Sequence, residues 1–330
     1  MRSFTYARYD NAPDAVQAFG ADAQFLAGGT TLVDLMRLNV MRPQSIVDIN
    51  PLSGTALGKI EMGAQGLKLG ALAHMAEAAD HKDIRAQYPV IAQALDLAAS
   101  PQIRNMATLG GNVLQRTRCT YFRDVSYGNC NKRISGSGCA ALDGVNRSHA
   151  ILGASKNCIA TYPGDFAQAL IALDAEVEVA GPNGARKIPF ANLHVPPGDT
   201  PQIETTLKPG ELITAFNVPA GAWTKRSLYL KVRDRESYEF ALASAAVALD
   251  MEGDKINDAR IALGGVATLP WRACEAEALL KGKSLDDDIL TQAADAAFQH
   301  ASARRHNQYK VALGKRTMTR ALRQAAAMEI

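Results

Sequence analysis

Four of the chain's five cysteines, Cys119, Cys130, Cys139 and Cys158, fall in one window of forty residues. A disulfide scaffold spreads its cysteines through a small secreted domain, whereas clustering within one loop of a large chain suits a metal centre. The spacing is C-x10-C-x8-C-x18-C with no CxxC pair, so neither a zinc ribbon nor a bacterial ferredoxin run is supported. Four thiolates, read with no histidine beside them, suit a [4Fe–4S] cube; from spacing alone, zinc, disulfides and free thiols stay open. Arg116, Arg118, Arg123, Lys132 and Arg133 crowd the same loop, and such cations are expected to lower thiol pKa values and offset a cluster's charge. Cys274, in an apolar helical pattern, reads as a buried small residue.

Two glycine turns bracket a different chemistry. Gln24-Phe25-Leu26 reads as a short strand running into Ala27-Gly28-Gly29-Thr30-Thr31 and then a helical pattern, Leu32-Val33-Asp34-Leu35-Met36. Strand, glycine turn and helix N-terminus together make an anion site, with N–H groups facing outward and two threonine hydroxyls beside them. A single Gly-Gly pair is a weak signal, and a ligand-free strand–helix turn explains it equally well. A second such turn, Thr108-Leu109-Gly110-Gly111-Asn112, lies about eighty residues on. A long dinucleotide needs one cradle for its pyrophosphate and further donors for its ring system, which a single-turn nucleotide site would not require.

The elements that must position these groups are legible in outline. Asn11 to Phe19 reads as a helix, and Ser45 to Ile49 as a strand closing a first βαβ-like lobe of about residues 1–55. A second lobe, about 56–221, holds strands near Lys59–Glu61 and Leu67–Leu69, helices over Leu72–Asp80 and Pro89–Ala99, and the four-cysteine loop at 115–160. Asp165 opens a helix at Phe166, where a cap is its ordinary role. A strand pair over Leu207–Val218 leads to a linker at Pro219–Ala222. The C-terminal part, 222–330, carries strands at Ser227–Val232, Ala241–Met251 and Ala259–Gly265, then helices at Pro270–Leu280, Asp287–Ala301 and Tyr309–Met328. That order predicts an antiparallel sheet backed by helices, an α+β unit. Lys310, Lys315, Arg316, Arg320 and Arg323 on the last helix read as a solvated or partner-facing stripe.

Composition excludes several classes. With 330 residues, 47% of them apolar, the chain can bury a sizeable core. A net charge of +3 with 6% aromatics does not support nucleic-acid binding. No apolar run approaches the length of a membrane span, and the N-terminus lacks the pattern of a secretion signal.

Three motifs carry a family resemblance: Phe25-Leu26-Ala27-Gly28-Gly29-Thr30-Thr31-Leu32, Ile103-Arg104-Asn105-Met106-Ala107-Thr108-Leu109-Gly110-Gly111-Asn112, and Ala262-Leu263-Gly264-Gly265-Val266-Ala267. In this order they resemble the FAD subunits of the xanthine dehydrogenase family of molybdenum hydroxylases, over nearly the whole chain. The four-cysteine insertion resembles the flavin subunits of bacterial periplasmic aldehyde oxidoreductases, which carry a [4Fe–4S] cluster there. The resemblance implies an α+β fold: a two-lobed FAD domain of the vanillyl-alcohol-oxidase (PCMH) type, then a domain like those of carbon monoxide dehydrogenase flavoproteins. It implies a pyrophosphate loop over Leu26, Ala27, Gly28, Gly29, Thr30, Thr31, Leu32, Val33 and Asp34, and flavin contacts at Thr108, Gly111, Asn112, Asp165 and Lys231. It implies cluster ligation by Cys119, Cys130, Cys139 and Cys158, and no catalytic base in this chain. Two departures stand out: Gly164 where the family often has serine before the acid, and Tyr162 where near relatives have histidine. The implied assembly has a molybdenum-cofactor subunit, a small [2Fe–2S] subunit and an external electron acceptor. By analogy it is periplasmic through a partner's signal, with the cytoplasm the alternative. The rival readings are a 4-hydroxybenzoyl-CoA reductase-like flavin subunit and a non-enzymatic zinc or nucleotide-binding protein.

Overall fold

The computed structural model describes all residues from Met1 to Ile330. Three sheets divide the chain. Strands β1 (Thr5–Arg8), β2 (Ala23–Leu26) and β3 (Ser45–Asp48) form a parallel sheet in the order β1-β3-β2. Helix Ala12–Gln17 connects the first two strands, with the Asn11 side chain accepting from the Asp14 N–H as its cap. The alternating pattern of the first lobe is therefore that of parallel strands joined through helices. Sequence reading missed β1, because its four residues are exposed and carry no apolar alternation.

The second sheet is antiparallel, in the order β4-β5-β8-β6-β7, from β4 (Ile60–Gly63), β5 (Gly66–Gly70), β6 (Glu176–Gly181), β7 (Gly184–Pro189) and β8 (Leu212–Pro219). The strand pair expected over Leu207–Val218 is this one strand, and residues 207–211 are a turn that walls the site below. Helices Met75–Asp80, Pro89–Asp96 and Phe166–Ala172 cover the sheet, all shorter than their apolar periodicity suggests. Two more short helices lie where sequence showed only a glycine turn and its approach: Pro101–Met106, capped by Ser100, and Leu109–Val113, capped by Thr108.

The third sheet is antiparallel in the order β12-β11-β10-β9, from β9 (Ser227–Val232), β10 (Ala243–Glu252), β11 (Lys255–Gly264) and β12 (Trp271–Arg272). Residues Trp271 and Arg272, expected to begin a helix, pair with Leu263 and Ala262 instead. Period-two alternation sends the two faces of β10 to different cores. Val247 and Leu249 pack on helices Asp287–Ala297 and Tyr309–Ala326, while Ala246 and Ala248 face the core of the second lobe. Alanine on that face lets helices Pro89–Asp96 and Phe166–Ala172 approach the sheet closely, so the C-terminal domain closes one side of the second lobe. No helix is long and apolar enough to cross a membrane.

Candidate functional site

The first glycine loop has the free donors that an anion site needs. No acceptor in the protein takes the backbone N–H of Gly28, Gly29, Thr30, Thr31 or Leu32. Gly29 adopts φ of +72°, which turns the chain from β2 into the helix Leu32–Arg37. Residues Ala27 to Leu32 line a cleft of about 450 Å³. Phe19 and Phe25, with ring centroids 4.5 Å apart, wall one end, together with the turn Lys208–Pro209–Gly210. Thr30 and Thr31 also line a second cavity of about 210 Å³. The two spaces therefore adjoin at the loop, an arrangement that suits an extended two-part ligand with its anionic middle at the glycines.

Of the other expected loop residues, Leu26, Val33 and Asp34 do not line the cleft. The Leu26 carbonyl accepts from Ile49 N–H. Asp34 takes Arg118 Nη1 at 3.1 Å and Arg123 Nη1 at 2.9 Å. Burial pushes its carboxyl up, but the two guanidiniums outweigh burial and hold it below the usual range. Asp34 thus ties the cysteine loop to the helix that carries the anion loop.

The second glycine turn does a different job from the one its sequence suggested. Gly110 N–H donates to Ala71 O, Leu109 N–H to Ala73 O and Gly111 N–H to Thr108 Oγ1, so these donors are spent within the fold. What the turn contributes is closeness. A Cβ built on Gly28 would stand 1.8 Å from the Met106 carbonyl oxygen, so the two glycine segments touch through bare backbone. Thr108 and Gly111 line the cleft and Asn112 lines the second cavity, where its buried Oδ1 has no partner. An unpaired buried acceptor beside a cavity can take a donor from a bound ligand.

Asp165 lies on the same cavity and is 4% exposed. It does not cap the helix Phe166–Ala172, as its position suggested. Its carboxylate accepts from Tyr229 Oη at 2.6 Å and from Lys231 Nζ at 2.7 Å. Lys231 does not line the cavity; it stands behind Asp165 and also donates to Leu97 O at 3.0 Å. Lys231 is therefore one half of a buried ion pair and not a free cation. Tyr229 was missed in the sequence, yet it sits two residues before Lys231 on β9, on the same face of the strand.

The two departures from the family pattern occupy one space. Tyr162 is buried and donates through Oη to Val113 O at 2.9 Å. A Cβ on Gly164 would lie 2.6 Å from that Oη. Tyrosine at 162 thus excludes any side chain at 164. Gly164→Ser is expected to destabilise the protein by about 1–3 kcal/mol, as overpacking does. Adding Tyr162→His should return most of that loss in denaturant melts, and equal midpoints for the single and double variants would refute the pairing.

All four clustered cysteines line one small cavity, together with Phe122, Lys132 and Ala160. No three of the chain's His, Cys, Asp or Glu side chains are grouped to hold a single metal ion. All four thiols are free; Cys130 and Cys158 are buried, and the backbones of Cys130 and Cys139 pair as an isolated antiparallel β-bridge. At Cys119 and Cys158 burial outweighs the expected lowering by nearby cations. Burial pushes the Cys119 thiol up to about 12, and burial also raises Cys158 against the pull of Lys132. The arginines are committed elsewhere: Arg116 to Glu204 at 2.5 Å, and Arg133 to backbone carbonyls including Phe122 O at 2.8 Å. Nor is the loop free of histidine. His149 places Nε2 3.1 Å from Cys119 Sγ, and its position between Cys139 and Cys158 was visible in the sequence. Cys274, expected to be buried, is exposed.

Lys310 departs most from its sequence reading. It is fully buried, and Nζ donates to Gly265 O at 2.6 Å and Ser148 O at 3.1 Å with no carboxylate beside it. Burial, with Arg147 adding, lowers its pKa to about 7. The unfolded value lies near 10.4, so between about pH 7 and pH 10 the unfolded chain binds more protons and stability rises with pH. Lys310→Met removes this contribution. The melting-temperature difference between wild type and variant should move in favour of wild type as pH is raised through that window; a constant difference would refute it.

Comparisons with known proteins match both parts of the chain. A family profile described as "FAD binding domain in molybdopterin dehydrogenase" matches residues 2–221, and one described as "CO dehydrogenase flavoprotein C-terminal domain" matches residues 228–325. The chain is 45% identical to the aldehyde oxidoreductase FAD-binding subunit PaoB of Escherichia coli (strain K12), covering 99% of each chain. It is 30% identical to the carbon monoxide dehydrogenase medium chain of Afipia carboxidovorans, over 88% of this chain and 84% of that one. Among solved structures, reconstituted CO dehydrogenase from Oligotropha carboxidovorans superposes with a TM-score of 0.78 at 26% identity, covering 99% of both chains.

Proposed function

The chain belongs to the FAD-binding subunits of the molybdenum hydroxylases, and from that premise we propose that it is the electron-relay subunit of an aldehyde-oxidising complex. FAD, when bound, supplies a centre that accepts electrons and passes them on. The observation that carries the reading is the row of five undonated N–H groups from Gly28 to Leu32 on a cleft that adjoins a second cavity lined by Asn112, whose buried Oδ1 has no partner. In this reading Ala27 to Leu32 hold the pyrophosphate, Thr108 and Gly111 shape the passage, and Asn112 and Asp165 face the flavin ring. Lys231 and Tyr229 fix the Asp165 carboxylate from behind. None of these residues is placed to act as a base toward an aldehyde, which is left to a molybdenum-cofactor partner.

The second part of the proposal is that Cys119, Cys130, Cys139 and Cys158 hold a [4Fe–4S] cluster. The donor set supports it, because four thiols from one loop face a common space. A four-iron cube holds its cysteines further apart than one tetrahedral ion does, so it does not require a single-ion grouping. The Cys158 end supports a relay: the cysteine cavity shares Lys132, Cys158 and Ala160 with a neighbouring cavity that reaches Leu114 and Gln115, which line the two flavin spaces. Electrons would come from [2Fe–2S] clusters on a small partner and leave to an external acceptor. The test is anaerobic co-purification with the molybdenum and small iron–sulfur subunits, assaying flavin, iron and aldehyde oxidation together. Loss of this chain's iron on replacing the cysteines with serine, with FAD retained, is expected. A complex that holds FAD but no iron beyond the partners' would leave the flavin reading standing and end the cluster reading. Periplasmic residence through a partner's signal belongs to the same proposal and is checked by cell fractionation.

A further inference from the structure

The cysteine loop is held from outside itself. Five consecutive residues, Asn146 to Ala150, are bound by four residues of the C-terminal domain, His306, Asn307, Tyr309 and Lys310. His306 N–H donates to Asn146 Oδ1 at 3.1 Å, and Tyr309 Oη to Arg147 O at 3.0 Å. Lys310 Nζ donates to Ser148 O at 3.1 Å, and Asn307 Nδ2 to His149 O and Ala150 O at 3.2 and 3.3 Å. Asn307 and Lys310 are both fully buried, so these bonds form away from competing water. At the centre of the clamped segment His149 is 3% exposed, and Nε2 meets Cys119 Sγ at 3.1 Å. Its Nδ1 is buried and has no partner, so the sulfur is the one protein atom the ring addresses by hydrogen bonding. Of the four clustered thiols, only Cys119 has such a side-chain neighbour.

Resting on the cluster reading above, we propose that His149 is an N–H donor to the Cys119 ligand of that cluster. The segment His306–Lys310 sets its distance, and this hydrogen bond raises the cluster's reduction potential. An N–H aimed at a ligand sulfur stabilises the more negative, reduced state, and partners behind first ligands tune a centre through their orientation. The C-terminal domain thereby acts on the cluster without touching it. The segment that grips the loop also begins the last helix, so packing of that domain and cluster potential are coupled.

The experiment compares wild type, His149→Leu, His149→Gln and Asn307→Ala in the complete three-subunit complex. Iron per flavin and the midpoint of this cluster are measured by EPR-monitored redox titration. His149→Leu is expected to keep its iron and FAD and to titrate at a lower potential. His149→Gln, which keeps an N–H donor, should fall between it and wild type, and Asn307→Ala should shift downward with iron intact. An iron-replete His149→Leu at the wild-type potential overturns the proposal. Loss of iron in both His149 variants also overturns it, since the ring would then be a ligand or a scaffold and not a donor. If the wild-type complex lacks this chain's iron altogether, the cluster reading fails first and takes this one with it.

Discussion

Gly28→Ala is expected to strip the protein of FAD while leaving its fold in place. The added methyl group would stand 1.8 Å from the Met106 carbonyl oxygen, a backbone atom that cannot swing away as a side-chain tip could. The two glycine segments must then separate, which displaces the N–H row of Gly28 to Leu32 from the cleft. A loss of at least about tenfold in FAD affinity, equivalent to ~1.4 kcal/mol, is a lower expectation for such a displacement. Gly111→Ala provides the contrast. Its Cβ would meet only the Thr108 Oγ1 at 3.0 Å, and Gly111 lies in a helix of ordinary conformation. Flavin-to-protein absorbance of the purified variants reads the difference, with circular dichroism as the check on folding. A Gly28→Ala protein with a full complement of FAD would show that the contact between the two loops is not what shapes the cradle.

Lys231→Met is expected to destabilise the protein by about 3–5 kcal/mol, because it leaves the Asp165 carboxylate buried without its counter-charge. The Lys231 and Asp165 side chains are 1% and 5% exposed, so water cannot replace the lost partner. Tyr229 would remain as the one donor to that carboxylate. The double variant Asp165→Leu/Lys231→Met removes both charges and should recover much of the loss, since apolar replacements of buried pairs are often neutral. FAD retention separates structure from site. The double variant should be folded yet weak in flavin binding, because Asp165, not Lys231, faces the cavity. Urea denaturation followed by far-UV signal measures the first effect and flavin release the second. Equal destabilisation of single and double variants would mean that the pair carries no stabilising charge interaction.

Much of this protein was open to reading from its residues alone. The strand, glycine turn and helix around Gly28 are a local pattern whose anion-binding geometry follows from backbone rules. The antiparallel C-terminal sheet was legible too, from stretches rich in apolar residues such as Ala243–Leu249. The clustering of four cysteines is likewise a fact of spacing. In each case the controlling interactions lie within a few residues of one another.

What only the tertiary structure decided is where distant polar groups found partners. Nothing within a turn of Asp165 distinguishes a helix cap from one half of an ion pair with Lys231, 66 residues away. Lys310 sits in a helical stripe that looks solvated, yet long-range packing buries it against Gly265 and Ser148. The turn Thr108–Asn112 looks like a further source of donors for a ligand, but Leu109, Gly110 and Gly111 spend their N–H groups within the fold and the approach to the turn serves by touching Gly28. Cys119 and His149 are thirty residues apart in a loop that is irregular apart from the short helix Thr120–Arg123, and their contact depends on the clamp from His306–Lys310. Hydrogen-bond capacity is written in each side chain; which capacity is spent, and on what, depends on the elements that packing brings alongside it.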